Sequence, residues 1–547
     1  MKINRTLRLI SQILFFLLFV FLMIKTEFSG FAKGIETSEL PYTVSLFLYI
    51  DPLIGINTIL SSYTLYHHLT FSLLIILFTL FLGRFFCGWI CPLGTINHFV
   101  SSFKTGILKG KKRLETNQFK SWQQIKYYVL IFFIVSSFFT TIQVGLLDPI
   151  CLLTRTFGTV IIPILSYTVT STSTFLVNSN VPLLPQLGTL FLSVMQQTII
   201  PYKALFFNST FIFALIFIAI IISNRYVTRF WCRLICPLGA LLGATSKFSI
   251  YGLKKNSELC NNCNKCELYC QGGDNPMPGK KWHKAECHLC LNCVGECSEN
   301  ALQFKFFYEQ DSVVETPDLT KRHVITSLVA GAITVPLLRS QAGLDVNYNP
   351  KLIRPPGSLE EKDFLAKCVK CGMCMKVCPN NAIHPTLFEA GIEGLWSPII
   401  IPRIGYCESS CTLCSTVCPT GAILQITAKQ KGWIASENGE RNSNPIKIGL
   451  SSIDKGRCLP WAMKTQCIVC EEWCPTSPKA IYLEEVGEFK RNGEYLFLKR
   501  PIIDPQNCVG CGACESACPI EDKPGIFVTS IGESRSKTNQ ILLKSGK

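Results

Sequence analysis

Residues 368–379 read CVKCGMCMKVCP: Cys368, Cys371, Cys374 and Cys378 are separated by two, two and three residues, and Pro379 follows directly. Three thiolates on so tight a loop reach three corners of a cuboidal iron–sulfur cluster, but the same loop cannot easily close on the fourth corner. The missing ligand must come from a second block of the same kind, so blocks have to occur in pairs. The chain supplies them. Cys260, Cys263, Cys266 and Cys270 repeat the spacing, as do Cys287, Cys290, Cys293 and Cys297, and Cys508, Cys511, Cys514 and Cys518 before Pro519. Cys407, Cys411, Cys414 and Cys418 open with a gap of three and end at Pro419. Cys458, Cys467, Cys470 and Cys474 open with a gap of eight and end at Pro475.

Six blocks make three pairs. In the run Cys-x2-Cys-x2-Cys-x3-Cys-Pro of bacterial two-cluster ferredoxins, the last cysteine ligates the neighbouring cluster. That crossing rule joins Cys260, Cys263 and Cys266 with Cys297, and Cys287, Cys290 and Cys293 with Cys270. It joins Cys368, Cys371 and Cys374 with Cys418, and Cys407, Cys411 and Cys414 with Cys378. The last pair is Cys458, Cys467 and Cys470 with Cys518, then Cys508, Cys511 and Cys514 with Cys474. The expectation is six 4Fe–4S clusters. Zinc also accepts four thiolates, but its sites pair two Cys-x2-Cys knuckles and need no third close cysteine or trailing proline. Gln271 and Ser298 replace that proline in the first pair, which removes no ligand. Disulfide scaffolds are excluded by the same regularity. Of 29 cysteines, five precede residue 240 and the other 24 fall in the blocks.

Upstream of the blocks the composition changes. Within 547 residues, the first 225 are very apolar, and four runs reach membrane-spanning length: about 9–25, 68–86, 127–147 and 208–224. The first follows Lys2, Arg5 and Arg8 without a small-residue cleavage site, so it reads as a membrane helix rather than a removable leader. The net charge of +16 does not indicate nucleic acid, because the cations gather beside the apolar runs. Lys104, Lys109, Lys111, Lys112, Arg113 and Lys120 follow the second run; Arg225, Arg229, Arg233, Lys247, Lys254 and Lys255 follow the fourth. The connections after the first and third runs hold chiefly Lys33, Arg155 and Lys203. The positive-inside rule therefore places the N-terminus and residues 225–320 in the cytoplasm. The apolar connections 42–61 and 157–200 read as interfacial or re-entrant segments, with loop packing or a quinol pocket as their alternative roles.

This membrane half reads as a duplication. Each half has a helix, an Asp-Pro pair (Asp51-Pro52, Asp148-Pro149) and a helix ending in Cys-x3-Cys-Pro-Leu-Gly. The same order in both halves brings Cys87, Cys91, Cys232 and Cys236 out on one side. They form either an additional redox or metal site or two inert pairs that help helices pack. If helical, each pair lies on one face, but Pro92 lacks the N–H that would bond the carbonyl of Gly88 and so breaks or kinks the helix. Cys151 reads as a core residue. Haem is disfavoured, because His67 and His68 open the second run and the other three runs hold no histidine.

Further along, Lys321-Arg322 precedes a mildly apolar stretch, 324–338, that is short for a crossing. It reads as a fifth membrane segment or as an export-like signal with Lys in the first place. The domain expectation is a membrane domain at 1–250, a two-cluster domain at 256–310, the export-like segment at 320–340 and a four-cluster region at 350–530. The fold class is an α-helical bundle of four helices, or five, joined to α+β ferredoxin-like domains.

The sequences FCGWICPLGT (86–95) and WCRLICPLGALLG (231–243), followed by a two-block ferredoxin, resemble NapH-type membrane polyferredoxins. KRHVITSLVAG (321–331), RPPGSLEEKDFLAKCVKCGMCMKVCP (354–379), CESSCTLCSTVCPTGAI (407–423) and RCLPWAMKTQCIVCEEWCP (457–475) are similar to NapG- and MauM-type ferredoxins. The chain thus resembles a fusion of the two. The resemblance implies a multi-pass protein of the bacterial inner membrane that takes electrons from the quinol pool. It also implies export of residues 340–547 and delivery to a terminal reductase or c-type cytochrome. The rival class is a copper-handling or assembly factor for a respiratory metalloenzyme, with the membrane cysteines as its metal site. A structural scaffold is a third reading, and no residues form a hydrolase or transferase centre.

Overall fold

A computed structural model describes residues 2–26, 40, 43–104, 111–179, 181, 183–200, 205–307, 319–339, 349–433, 444–489, 493 and 495–540. Lys33, Lys109 and Lys203, three of the cations used above to orient the chain, lie outside these, as do 308–318 and 340–348 at the edges of the expected domains. The chain forms two compact units. The first contains residues 1–25, 43–160 and 210–336; the second contains 26–42, 161–209 and 337–547.

In the first unit, helix Lys2–Lys25 exposes Leu7, Ile10, Ile13, Leu14 and Leu17 on one side and buries Arg8, Gln12, Phe19 and Met23 on the other. Leu73, Leu74, Leu77, Phe78 and Phe81 on Ser72–Leu82 are likewise exposed, as are Phe211, Leu215, Ile218 and Ile222 on Phe211–Ser223. Apolar faces of this extent suit lipid rather than water.

The spans differ from the apolar runs. Among the described residues, two helices are long and apolar enough to cross a bilayer, Arg5–Lys25 and Pro149–Val177. The run 68–86 stops as an α-helix at Leu82, where Gly83 turns to φ 84°. The run 127–147 becomes Ile125–Phe138, closed just beyond by Thr140 at φ 64°, and 208–224 becomes Phe211–Ser223. Counting apolar residues runs through such turns without registering them. Conversely, Pro149–Val177 occupies sequence expected to be a loop or a re-entrant segment. Pro163 has no N–H and crowds the carbonyl four residues back, yet the chain absorbs it as a π-turn, Phe157–Ile161, and continues. Lys321–Arg339 is a helix with Pro336 inside it. Gly331 lets it lie against Ile125–Phe138, because a Cβ there would stand 3.0 Å from the Phe132 carbonyl and from Val135 Cβ.

The duplication is visible in local structure. Asp51 caps Pro52–Ser62 and Asp148 caps Pro149–Thr156, each accepting from the amides two and three residues on while Pro takes the first turn, where no N–H is needed. In the same way Pro92–Lys104 and Pro237–Ser246 start directly after Cys91 and Cys236. Cys91 Sγ accepts from Gly94 N at 3.4 Å and Cys236 Sγ from Gly239 N at 3.2 Å. The helix therefore breaks within each motif. Cys87 and Cys232 sit on separate short turns, Phe85–Trp89 and Phe230–Leu234, rather than sharing a helical face with their partners.

An antiparallel ladder, Tyr251–Lys255 with Leu302–Phe306, brackets the first two cysteine blocks around a small core of Leu253, Trp282 and Leu302. In the second unit Leu450–Ile453 pairs with Ile526–Thr529 and brackets the last two blocks in the same manner. The hairpin Ile481–Phe489 with Tyr495–Ile503 is inserted between them. The middle pair is bracketed by a single bridge, Ser358 to Ile423, and carries the short ladder Ile383–Pro385 with Pro398–Ile400. Phe364, Ile383, Ile400, Trp433, Ile448 and Val528 share one core with the cysteines of both pairs.

Candidate iron–sulfur sites

Each block places its third cysteine on one helical turn, for example Cys266 on Lys265–Leu268 and Cys374 on Met373–Lys376. The four blocks with regular spacing reach that turn through two left-handed residues, one in each two-residue gap. These are Asn262 and Asn264, Leu289 and Leu291, Lys370 and Gly372, and Gly510 and Gly512. Two reversals coil the loop so that successive sulfurs face inward. The blocks opening with gaps of three and eight enter their turns without a left-handed residue, Thr412 and Ile468 preceding them at φ −130° and −121°, although the longer gap reverses earlier, at Lys464 with φ 52°.

The structure brings the cysteines together across blocks. Cys368, Cys371 and Cys374 line one cavity with Cys418. Cys378 lines another with Cys407, Cys411 and Cys414. Cys458, Cys467 and Cys470 line a third with Cys518, and Cys474 shares a fourth with Cys508, Cys511 and Cys514. Cys260, Cys263 and Cys266 line a fifth with Cys297. In the remaining set, Cys287 lies within electrostatic reach of Cys290 and Cys293, and Cys270 within reach of Cys290. Cys458 keeps its place despite the long gap because it caps Leu459–Ala462, and Gly525 lets its backbone approach: a Cβ there would lie 2.8 Å from Cys458 Cα.

The donor sets fit a cluster. Among the described residues, no three His, Cys, Asp or Glu side chains converge on a point that would hold a single ion. Zinc draws every sulfur to about 2.3 Å of one centre; these thiols instead surround a space, as a multi-iron core requires. Burial pushes the bare thiols up, Cys266 and Cys368 to about 11 and Cys411, Cys470 and Cys511 to about 12, so loading metal must displace protons.

Hydrogen bonds to the sulfurs differ between sites. Amides of Ala382, Ile423 and Gly525 donate to Cys378, Cys418 and Cys518 at 3.2, 3.4 and 3.4 Å. Ser451 donates its amide to Cys508 Sγ at 3.4 Å, and its hydroxyl lies 3.4 Å from Cys514 Sγ. The buried Lys431 ammonium donates to Cys407 Sγ at 3.4 Å and to the carbonyls of Glu408 and Cys411. At Cys270 the neighbour has the opposite sign: Asp274 Oδ1 lies 2.6 Å from the sulfur, while Trp282 Nε1 donates to the other carboxylate oxygen at 3.1 Å.

Cys87, Cys91, Cys232 and Cys236 also lie within electrostatic reach of one another. Burial pushes up the thiols of Cys91, Cys232 and Cys236, and all three feel Cys87. Cys91 and Cys236 are also within reach of Cys232. The fully buried Arg84 is within electrostatic reach of Cys87 and Cys236, and the fully buried Arg229 within reach of Cys232. Sequence reading used Arg229 only as an orienting cation and passed over Arg84, although Arg84-Phe85-Phe86-Cys87 and Arg229-Phe230-Trp231-Cys232 place an arginine three residues before each first cysteine. Cys151 is buried in Pro149–Thr156, as a core residue would be.

A family model described as a 4Fe-4S binding domain matches residues 64–115, 209–254 and 414–435, and a 4Fe-4S dicluster domain model matches 367–422 and 465–521. The ferredoxin-type protein NapG of Haemophilus influenzae is 31% identical over 173 residues, 31% of this chain and 56% of that protein. The chain thus spans little more than half the length of that relative. The methylamine utilization ferredoxin-type protein MauM of Methylorubrum extorquens is 33% identical over 31% of this chain and 69% of that protein. MauM of Paracoccus denitrificans is 30% identical over 36% and 79%. No solved structure matches. With its cross-paired thiol sets and these relatives, the chain belongs to the NapG/MauM family of ferredoxin-type 4Fe–4S electron-transfer proteins.

Proposed function

We propose that this protein is a membrane-bound relay that takes electrons from quinol and passes them through six 4Fe–4S clusters to a periplasmic reductase or c-type cytochrome. The observation that carries the reading is the crossing of the cysteine blocks. Five sets of thiols line a cavity with three from one block and one from its partner, and Cys270 lies within reach of Cys290 in the sixth, which supports pairs of clusters built as units in which electrons pass at short range. The relay chemistry is one-electron transfer at each cluster. A quinol gives up two electrons and two protons, so it discharges into such a series in two steps, with the protons released to water.

What this chain's own residues do is hold the sulfurs, exclude water and set charge. Lys431, Ser451 and the amides at Cys378, Cys418 and Cys518 favour the more negative, reduced state of their sites. Asp274 disfavours it at Cys270. The exposed apolar helix faces support membrane attachment. The test is anaerobic purification in detergent followed by addition of a short-chain quinol. Reduction of cluster EPR signals by quinol supports the relay, whereas clusters reducible by dithionite but not by quinol would remove quinol as the donor.

A further inference from the structure

The two halves of the duplicated membrane region interlock at their cysteine motifs. Arg229, which precedes the second motif, donates from Nη1 to the carbonyl of Cys87 in the first at 3.0 Å. Arg84, which precedes the first motif, reaches the second: a Cβ on Gly239 would lie 2.9 Å from Arg84 Nη2 and 3.4 Å from Cys236 Sγ. Asn97 Nδ2 lies 3.7 Å from Cys232 Sγ, and its Oδ1 accepts from Asn224 at 2.6 Å. Each half supplies two thiols and one guanidinium to the same place.

The charges do not balance with protein groups alone. Arg8, Arg84 and Arg229 are each at most 1% exposed. The Nε atoms of all three, Nη2 of Arg84 and of Arg229, and Trp231 Nε1 have no hydrogen-bond partner. Glu286 meets Arg84 at 3.8 Å, but it also takes Lys126 and the Tyr127 hydroxyl. Burying that many unpaired donors and cations is prohibitive unless an anion sits among them.

We propose that Cys87, Cys91, Cys232 and Cys236 jointly hold a further 4Fe–4S cluster at the seam between the membrane halves, in electronic contact with the cluster of Cys270, Cys287, Cys290 and Cys293. Four thiolates on such a core carry net negative charge, which the Arg84 and Arg229 guanidiniums offset. Cys91 and Cys236 stand at helix N-termini and accept from the amides of Gly94 and Gly239, which offsets part of what burial costs a bare thiolate. The 4Fe-4S binding model matches both repeats, and each match contains only two cysteines, so a complete ligand set needs both.

Contact with the next cluster is through backbone. A Cβ on Gly88, beside Cys87, would lie 2.2 Å from the carbonyl oxygen of His288, beside Cys287. Arg8 Nη1 donates to the Cys290 carbonyl at 2.6 Å and Trp89 Nε1 to the Leu289 carbonyl at 2.9 Å. The site rests on the proposed quinol relay only for its position at the head of the series.

The test is iron, acid-labile sulfide and Mössbauer area per full-length chain purified anaerobically in detergent. At four irons per cluster, about 28 are expected in the native protein and about 24 after Cys87→Ala with Cys232→Ala. About 24 in the native protein overturns the proposal whether or not the double variant folds. So does stoichiometric copper or zinc that disappears with these cysteines. Arg229→Gln should lower the midpoint of one EPR signal and leave the others; no shift in any signal counts against the site. If the native count stands near 28 and quinol still reduces nothing, the donor falls and the site remains.

Discussion

The two cluster-binding regions, 256–307 and 349–540, solve the same ligation problem with different surroundings. Both cross their fourth cysteines, and both give those sulfurs amide hydrogen bonds. In the second region Pro379 follows Cys378, and the amide returns from Ala382 at 3.2 Å. In the first region Gln271-Gly272-Gly273 follows Cys270, and Gly273, at φ 72°, donates to the sulfur at 3.2 Å. Gly272 admits the Glu286 carbonyl, which would stand 2.2 Å from any Cβ there. A proline is thus one way to end the block, and a glycine pair is another that lets a second loop approach. The comparison separates two tasks: spacing determines which sulfurs meet, while residues distant in sequence determine the charge they meet in.

The sharpest way to break the shared crossing pattern is to remove two ligands at once. Cys368→Ala with Cys418→Ala should cost about four irons per chain, because both ligate one cluster, whereas Cys407→Ala with Cys418→Ala should cost about eight. Iron analysis and EPR spin counts on the full chain decide it, and the reverse order, about eight for the first pair and about four for the second, would show that blocks close on themselves.

Next in size is an ionic staple of the second region. Glu361 accepts two bonds from the buried Arg354, at 2.6 and 3.1 Å, and one from Arg535 at 2.8 Å. Burial works against the carboxylate, but Arg354 and then Arg535 outweigh it and hold Glu361 at about 2, below its ordinary 4.5. A depressed folded value stabilises fully above the unfolded one and loses that contribution as pH falls through about 2. Glu361→Gln should therefore destabilise by about 3 kcal/mol near neutrality. The penalty should shrink through the window between pH 4.5 and 2, as denaturant midpoints of native and variant protein converge.

The charge contrast gives the third expectation. Lys431→Gln should lower the midpoint of the Cys378 cluster and Asp274→Asn should raise that of the Cys270 cluster, each by about 60 mV, tenfold in a one-electron equilibrium. Potentiometric EPR reads both; shifts of the same sign would mean that solvent exposure, not these charges, sets the difference. The smallest effect concerns how Lys431 is held. Thr427 and Gln430 form a capping box on Ala428–Lys431. Thr427→Ala should cost about 1 kcal/mol in chemical denaturation and move the same midpoint less than Lys431→Gln does.

Much of the site was legible beforehand because cluster ligation is coded over short spacings. Five of the six sets of four that the crossing rule named line a cavity together, the one with Cys458 across its gap of eight included. The apolar N-terminal half was less legible. Hydropathy found the apolar runs but not their ends, because Gly83 and Thr140 interrupt them by backbone conformation rather than polarity. It read 157–200 as interfacial or re-entrant, where a π-turn lets the helix continue past Pro163. Arg84 and Arg229 carried a signal in the repeated Arg-Phe-x-Cys, but their purpose is visible only once each crosses to the other half.

The sequence by itself determined the ligand chemistry, the pairing of the blocks and the duplication, since each depends on residue type at a fixed local interval. Only the tertiary structure decided which charges face the sulfurs. Lys431 reaches Cys407 from 24 positions away, and Arg8 reaches Cys290 from 282. Electrostatic influence acts through space in a buried, weakly screened interior, so no interval along the chain encodes it.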